Sequence, residues 1–203
     1  MENAYEKEAW SCQTTVIGID EAGRGPIAGP LVVAGVVLPI DFEDEQINDS
    51  KKLPEKKREM LFQIIQEKAL AYEIVIVSEK EIDELNIYRA TQKAMHEIAC
   101  ALKSSIVLTD AMPLPFCTKT VHSLIKGDAR SISIAAASIL AKVTRDRIMI
   151  SLDLQYPGYG LKKHKGYPTR EHIEALEKHG VLPIHRRSYK PVVECIQMKL
   201  NLD

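Results

Sequence analysis

Two adjacent carboxylates, Asp20 and Glu21, close an apolar run in "VIGIDEAGRGPIAGPLVVAGVVL" (Val16 to Leu38), and Gly23-Arg24-Gly25 follows at once. A third acid, Asp110, ends the apolar stretch "SIVLTDA", and a fourth, Asp128, follows Gly127 ahead of an alanine-rich segment. Carboxylates brought together repel and need a counter-charge at neutral pH. Mg²⁺ or Mn²⁺ supplies one, because these hard cations take oxygen ligands and keep waters that substrate phosphates can displace. Two such ions about 3.5–4 Å apart stabilise the attacking and leaving oxygens of a phosphodiester hydrolysis, and one suffices to activate water without a His or Cys nucleophile.

These acids need elements to position them. "TTVIGID" (14–20) and "LVVAGVVL" (31–38) read as buried strands. Residues 54–70 read as a helix with Pro54 in its first turn, 71–78 as a third strand, and 79–102 as helix in two pieces. A fourth strand spans 105–111 and ends on Asp110, and a fifth lies within 115–125. A long helix opens near Ser131, "YPGYGLKKHKGYPT" is a loop, and "TREHIEALEKHG" is a helix closed by Gly180. A last short helix follows Pro191. This order predicts the α/β class: a central mixed sheet flanked by helices, with more helix at the C-terminus. Asp20 and Asp110 then sit at strand C-termini, the edge where sites collect in open α/β sheets. Neighbours on a strand face opposite sides, so Asp20 and Glu21 converge only if the backbone leaves the strand there. Gly23, Gly25 and Pro26 permit such a departure. Taken singly, each acid also reads as a turn former or helix cap, and Gly23-Arg24-Gly25 as a tight hairpin connection.

With 203 residues, 45% hydrophobic and 27% charged, the chain reads as one globular domain. No apolar run approaches the roughly 20 residues that span a bilayer. The start "MENAYEKEAWSCQTT" is acidic without an apolar core, which excludes a secretory signal, and Cys12, Cys100, Cys117 and Cys195 form no C-x-x-C. Both point to the reducing cytoplasm. The net charge of −1 hides an asymmetry: residues 1–128 carry 14 Lys/Arg against 21 Asp/Glu, and residues 129–190 carry 12 against 5. A basic segment of that kind suits a polyanionic partner or a solvated helix surface.

Five segments, in order, resemble the type 2 ribonucleases H, in their bacterial ribonuclease HII branch. They are "GIDEAGRGPIAGPLVVAGVV", "NDSKKL" (48–53), "TDAM" around Asp110, "KGDARSISIAAASILAKVTRD" (126–146), and "YPGYGLKKHKGYPTREHIEAL" with "HRRSY". The resemblance covers about residues 14–192. It implies a ribonuclease H-like fold with a C-terminal helical extension, and Asp20, Glu21, Asp110 and Asp128 as catalytic acids holding Mn²⁺ or Mg²⁺. The implied reaction is endonucleolytic hydrolysis of the RNA strand of RNA/DNA hybrids, and cleavage 5′ of single ribonucleotides in duplex DNA, leaving a 3′-hydroxyl and a 5′-phosphate. The implied roles are ribonucleotide removal from DNA and RNA primer removal.

Under this resemblance, Gly23, Arg24 and Gly25 read the ribonucleotide. Only the 2′-hydroxyl distinguishes RNA from DNA at one nucleotide, and a glycine backbone can approach it. Arg24 adds a charged phosphate contact. Tyr167 packs on the sugar, with Tyr156 and Tyr159 as nearby competitors. Asn48, Ser50, Lys51, Lys52, Lys142, Arg145 and Lys165 meet the duplex, mostly its phosphates, which positions without reading sequence. Arg186 and Arg187 brace the C-terminal segment against the acids. His164, His172, His179 and His185 serve packing or phosphate contact. The expected partners are RNA/DNA hybrid and ribonucleotide-containing duplex DNA, with the chain a monomer and no membrane contact. "CIQMKLNLD" reads as a packing helix or as a motif for a partner such as a sliding clamp, with packing the favoured reading.

The alternatives are the ribonuclease HIII branch, another nuclease on the same fold, and a non-catalytic nucleic-acid-binding module. The first carries an extra N-terminal domain, for which a strand starting by Thr14 leaves no room. The ribonucleotide-reading motif and the full set of acids argue against the other two.

Overall fold

The computed structural model describes residues 1–48, 50 and 53–200, with side chains to Met198. Lys51 and Lys52 lie outside the described residues. The elements are α1 (Ala4–Ser11), β1 (Val16–Ala22), β2 (Leu31–Val37), α2 (Glu55–Lys68), β3 (Ala71–Val77), α3 (Glu79–Leu85), α4 (Ile87–Ala101), β4 (Ile106–Asp110), β5 (Thr120–Leu124), α5 (Ile132–Gln155), α6 (Leu161–His164), α7 (Arg170–His179) and α8 (Lys190–Leu200). Among the described residues, no helix is long and apolar enough to cross a membrane. The four cysteines are unbridged.

The described residues form two compact units. The first holds Met1–Ala22, Val32–Val75 and Thr91–Val143, and the second Gly23–Leu31, Ile76–Ala90 and the chain from Thr144. The first is built on a sheet of order β3-β2-β1-β4-β5. β1 pairs antiparallel with β2 and parallel with β4, and β4 pairs parallel with β5, which makes the sheet mixed as expected. All seven residues of β2 are buried. A run of β-branched residues buried on both faces fits an interior strand, and each buried Val or Leu contributes about 1.5–3 kcal/mol.

The structure sharpens the sequence reading at three places. β1 continues two residues past Asp20, because pairing with β2 holds as far as Ala22 opposite Val32. The two helical pieces 79–102 separate at Asn86, whose φ of 65° breaks the first and whose side chain accepts the Tyr88 and Arg89 N–H groups at 3.0 and 3.1 Å to start the second. The N-terminal segment, given no element from sequence, forms α1. Its buried Glu6 accepts from the Ser131 hydroxyl and the Ser133 N–H, and Asn3 accepts from the Ile132 N–H, so α1 satisfies the open start of α5.

In the second unit α7 has the ends the sequence gives it: Thr169 accepts the His172 N–H at 3.3 Å, and Gly180 closes it with φ 93°. The predicted loop 156–169 contains the one-turn α6. Val192 and Cys195 of α8 pack with Ile27 and Leu176.

Candidate active site

The parallel register of β1 and β4 sets Ile19 beside Thr109, which carries Asp20 and Asp110 out side by side at the same sheet edge. Asp128 arrives from the turn Gly127–Ala129 that follows β5. The Gly127 N–H donates to Asp110 Oδ1 at 2.8 Å and ties that turn to the end of β4. Asp20, Asp110 and Asp128 each place a carboxylate oxygen within 4.8 Å of the others. Asp20 is 3% exposed and Asp128 6%, with Asp110 half-buried.

Glu21 is outside this cluster. It follows Asp20 on β1 without joining the three oxygens that lie within 4.8 Å of one another. Its negative charge still acts on Asp20. Burial first, then the charges of Glu21 and Asp110, push the Asp20 carboxyl well above its ordinary value. The Glu21 N–H, 2.7 Å from Asp20 Oδ1, and the Ser138 hydroxyl oppose that shift. Three crowded, mostly buried carboxylates at such a cost are the oxygen set that a divalent cation fits.

Ser138 was not singled out in the sequence, where it is one small residue of "AAASILA". It also bonds Ser50, hydroxyl to hydroxyl, at 2.7 Å, and Ser50 is 2% exposed. Ser50 therefore faces the protein interior and not the phosphates expected of it. Asn48, from the same segment, is exposed, and Lys142 is half-buried on α5.

In the second unit the loop Gly23–Pro30 is held by two buried arginines. Arg145 donates Nε to Pro30 O at 2.9 Å, Nη1 to Lys165 O at 2.9 Å and Nη2 to Ala28 O at 3.1 Å. It is 1% exposed, so the expectation that it contacts phosphate is corrected: its donors are used by the loop carbonyls. Burial and the Arg186 charge lower its pKa to about 10, which leaves it charged at neutral pH. Arg186 donates to Gly23 O, Arg24 O, twice to Gly29 O, and to the Tyr189 hydroxyl. All five guanidinium N–H groups are thereby used. Arg186 braces the C-terminal segment against the glycine loop, not against the acids as expected. Arg187 is exposed, and its N–H donates to Asp83.

Gly25 and Tyr167 meet. A Cβ on Gly25 would stand 3.3 Å from Tyr167 Cε1, so the tyrosine ring, 47% exposed, lies over the glycine. Tyr159 is buried at 4% and donates its hydroxyl to Gly180 O, and Tyr156 packs in the same apolar cluster, so neither competes for an exposed ring position. Arg24 is half-buried and Lys165 likewise, the latter bonding Lys162 O. His164, His172 and His185 are buried and mutually packed, and His179 lies on the Tyr159 ring at 5.6 Å. Packing, not phosphate contact, is the role the structure gives them.

Comparisons with known proteins identify the family. The family model for ribonuclease HII matches residues 17–192. The ribonuclease HII of Acetivibrio thermocellus is 54% identical over 188 residues, covering 91% of this chain and 73% of that protein. Among solved structures, the ribonuclease H2 of Pyrococcus horikoshii OT3 superposes with a TM-score of 0.75 at 29% identity, over 91% of this chain and 98% of that one. The ribonuclease HII in the PCNA complex from Archaeoglobus fulgidus gives 0.75 at 31% identity, over 87% and 95%. The chain belongs to the ribonuclease HII family and is a type 2 ribonuclease H.

Proposed function

We propose that this enzyme hydrolyses the RNA strand of RNA/DNA hybrids and cuts on the 5′ side of single ribonucleotides embedded in duplex DNA, leaving a 3′-hydroxyl and a 5′-phosphate. The convergence of Asp20, Asp110 and Asp128 carries the reading. In it these three hold Mn²⁺ or Mg²⁺, with Glu21 as the fourth acid. A divalent ion in that position supplies an activated water and neutralises charge developing on the scissile phosphate. The chain's own part is to hold the carboxylates: the Gly127 N–H fixes Asp110, and the Glu21 N–H and Ser138 hydroxyl fix Asp20.

The glycine loop supplies the discrimination. Gly25 and Tyr167 form one surface, of bare backbone beside an aromatic ring, suited to a ribose with its 2′-hydroxyl. Arg24 contacts a flanking phosphate, and Asn48, Lys142 and Lys165 contact the duplex backbone. Lys51 and Lys52 join them on the sequence resemblance. The biological roles follow: removal of misincorporated ribonucleotides and of RNA primers.

The test is cleavage of three duplexes, all DNA, one embedded ribonucleotide and full hybrid, each with Mg²⁺ and with Mn²⁺. Cleavage of the second and third, with the all-DNA duplex intact, is expected. Equal cutting of all three would overturn the reading.

A further inference from the structure

His172 and His185 are 0% and 1% exposed, and the reaction proposed above uses neither. Their protons can be placed atom by atom. The Leu182 N–H lies 2.9 Å from His185 Nδ1. An amide nitrogen only donates, so Nδ1 accepts, and a neutral His185 carries its proton on Nε2. That atom lies 3.1 Å from His172 Nε2. It donates there, which leaves the His172 proton on Nδ1. His172 Nδ1 in turn lies 3.0 Å from the Tyr167 carbonyl oxygen, which also accepts the Thr169 N–H at 2.8 Å. Donation runs one way: Leu182 to His185, His185 to His172, His172 to Tyr167.

A third imidazole supports the same loop. His164 stacks on His172 with ring centroids 4.4 Å apart. The Gly166 N–H meets His164 Nδ1 at 3.2 Å, so His164 donates from Nε2 to Tyr159 O at 2.8 Å. Gly166 O then accepts the Ile27 N–H at 2.9 Å, which joins the tyrosine loop to the glycine loop. A second proton on His172 or His185 would set one N–H against another. Burial accordingly holds both well below the usual imidazole range, at about 4.

We propose that His185 and His172 are positioning residues, a one-way relay of two neutral imidazoles that fixes the Tyr167 backbone and so seats its ring over Gly25. The proposal rests on the reading that Tyr167 packs on the ribonucleotide sugar. The ring is nearly half exposed, so its backbone must set its place. A relay with a defined direction does this better than apolar packing, because each donor has one acceptor and no alternative register.

The full chain tests it. Long-range ¹H–¹⁵N spectra at pH 7 are expected to show the His172 proton on Nδ1 and the His185 proton on Nε2; either opposite tautomer overturns the relay. The second measurement compares His172→Asn, whose amide N–H₂ can occupy the Nδ1 position, with His172→Gln, which reaches the Nε2 position instead. The expected result is a KM for the single-ribonucleotide duplex about tenfold lower in His172→Asn than in His172→Gln, with kcat changed less. Volume alone predicts the reverse, since Gln fills more of the imidazole site. An order following volume, or equal KM values, overturns the proposal. If the wild-type chain fails to cut that duplex, the proposed function falls while the tautomers still decide the relay.

Discussion

Arg186 donates to the Gly23 carbonyl at 2.6 Å, on a residue whose φ is +102°. That bond shows why the first glycine of Gly23-Arg24-Gly25 is a glycine. A Cβ there would stand 2.1 Å from Arg145 Nε and 2.9 Å from Pro30 O. The requirement is internal: left-handed backbone and a buried guanidinium beside it. The sequence reading reserved that space for the sugar; in the packed loop Arg145 and Pro30 occupy it, so a larger side chain strains the fold.

Gly23→Ala should destabilise the protein by about 2 kcal/mol or more, through positive φ and overpacking. Gly25→Ala should cost under about 0.5 kcal/mol, because Gly25 is exposed and its new Cβ meets only the edge of Tyr167. On the proposed function, Gly25→Ala nonetheless lowers single-ribonucleotide cleavage at least tenfold. Urea unfolding and the cleavage assay together separate the two. Equal stability of the two variants would refute the assignment.

Arg145 and Lys142 should also part company. Arg145→Lys loses the fork that serves three carbonyls and is expected to lower the melting temperature by several degrees. Lys142→Ala should leave melting nearly unchanged and reduce the slope of log K against log salt by about 0.9 for duplex DNA. A normal melting temperature for Arg145→Lys would restore its phosphate role.

Metal should act on stability before catalysis is measured. Burial and like charges hold the Asp20 carboxyl well above its ordinary value, so ionising it disfavours the metal-free fold. Its folded pKa is raised, and its contribution therefore favours the fold at low pH and weakens as pH rises through the carboxylate range. A bound cation opposes that loss. Adding Mn²⁺ to EDTA-treated protein at pH 7 should raise the melting temperature, by mass action on the folded state. Asp110→Asn should abolish cleavage, keep duplex binding, and diminish that rise. An undiminished rise would place the ion elsewhere.

The two histidines give a stability signature of opposite sign. Their folded pKa values of about 4 lie below the unfolded value of 6.5. Below 6.5 the unfolded chain binds more protons than the fold, so stability falls as pH drops from 6.5 toward 4, by up to about 3 kcal/mol per histidine. Urea unfolding at pH 7 and pH 4.5 measures the fall. His172→Phe should reduce it, and an unchanged fall would mean that His172 titrates normally.

Much of the fold could be read because its signals are local. β-branched runs gave the strands, Thr169 and Gly180 gave the ends of α7, and the segment after Asp110 gave β5. The acids at the strand ends were legible as types. Their meeting was not, since it depends on β1 and β4 lying parallel with Ile19 beside Thr109, a pairing across some ninety residues of chain. The role of α1 was hidden for the same reason: Glu6 finds its partners at Ser131 and Ser133.

Arginine was where composition misled. A guanidinium in a basic segment looks alike in sequence whether it faces phosphate or three loop carbonyls. Only burial distinguishes them, and burial is a property of the packed chain. The sequence by itself determined the family, the strand and helix order, and which acids could hold an ion. The tertiary structure decided that Asp20, Asp110 and Asp128 converge, and that Arg145, Arg186 and the histidines support the glycine and tyrosine loops. The physical reason is that backbone carbonyls removed from water must find donors, and which donor each one finds is settled only when distant segments pack.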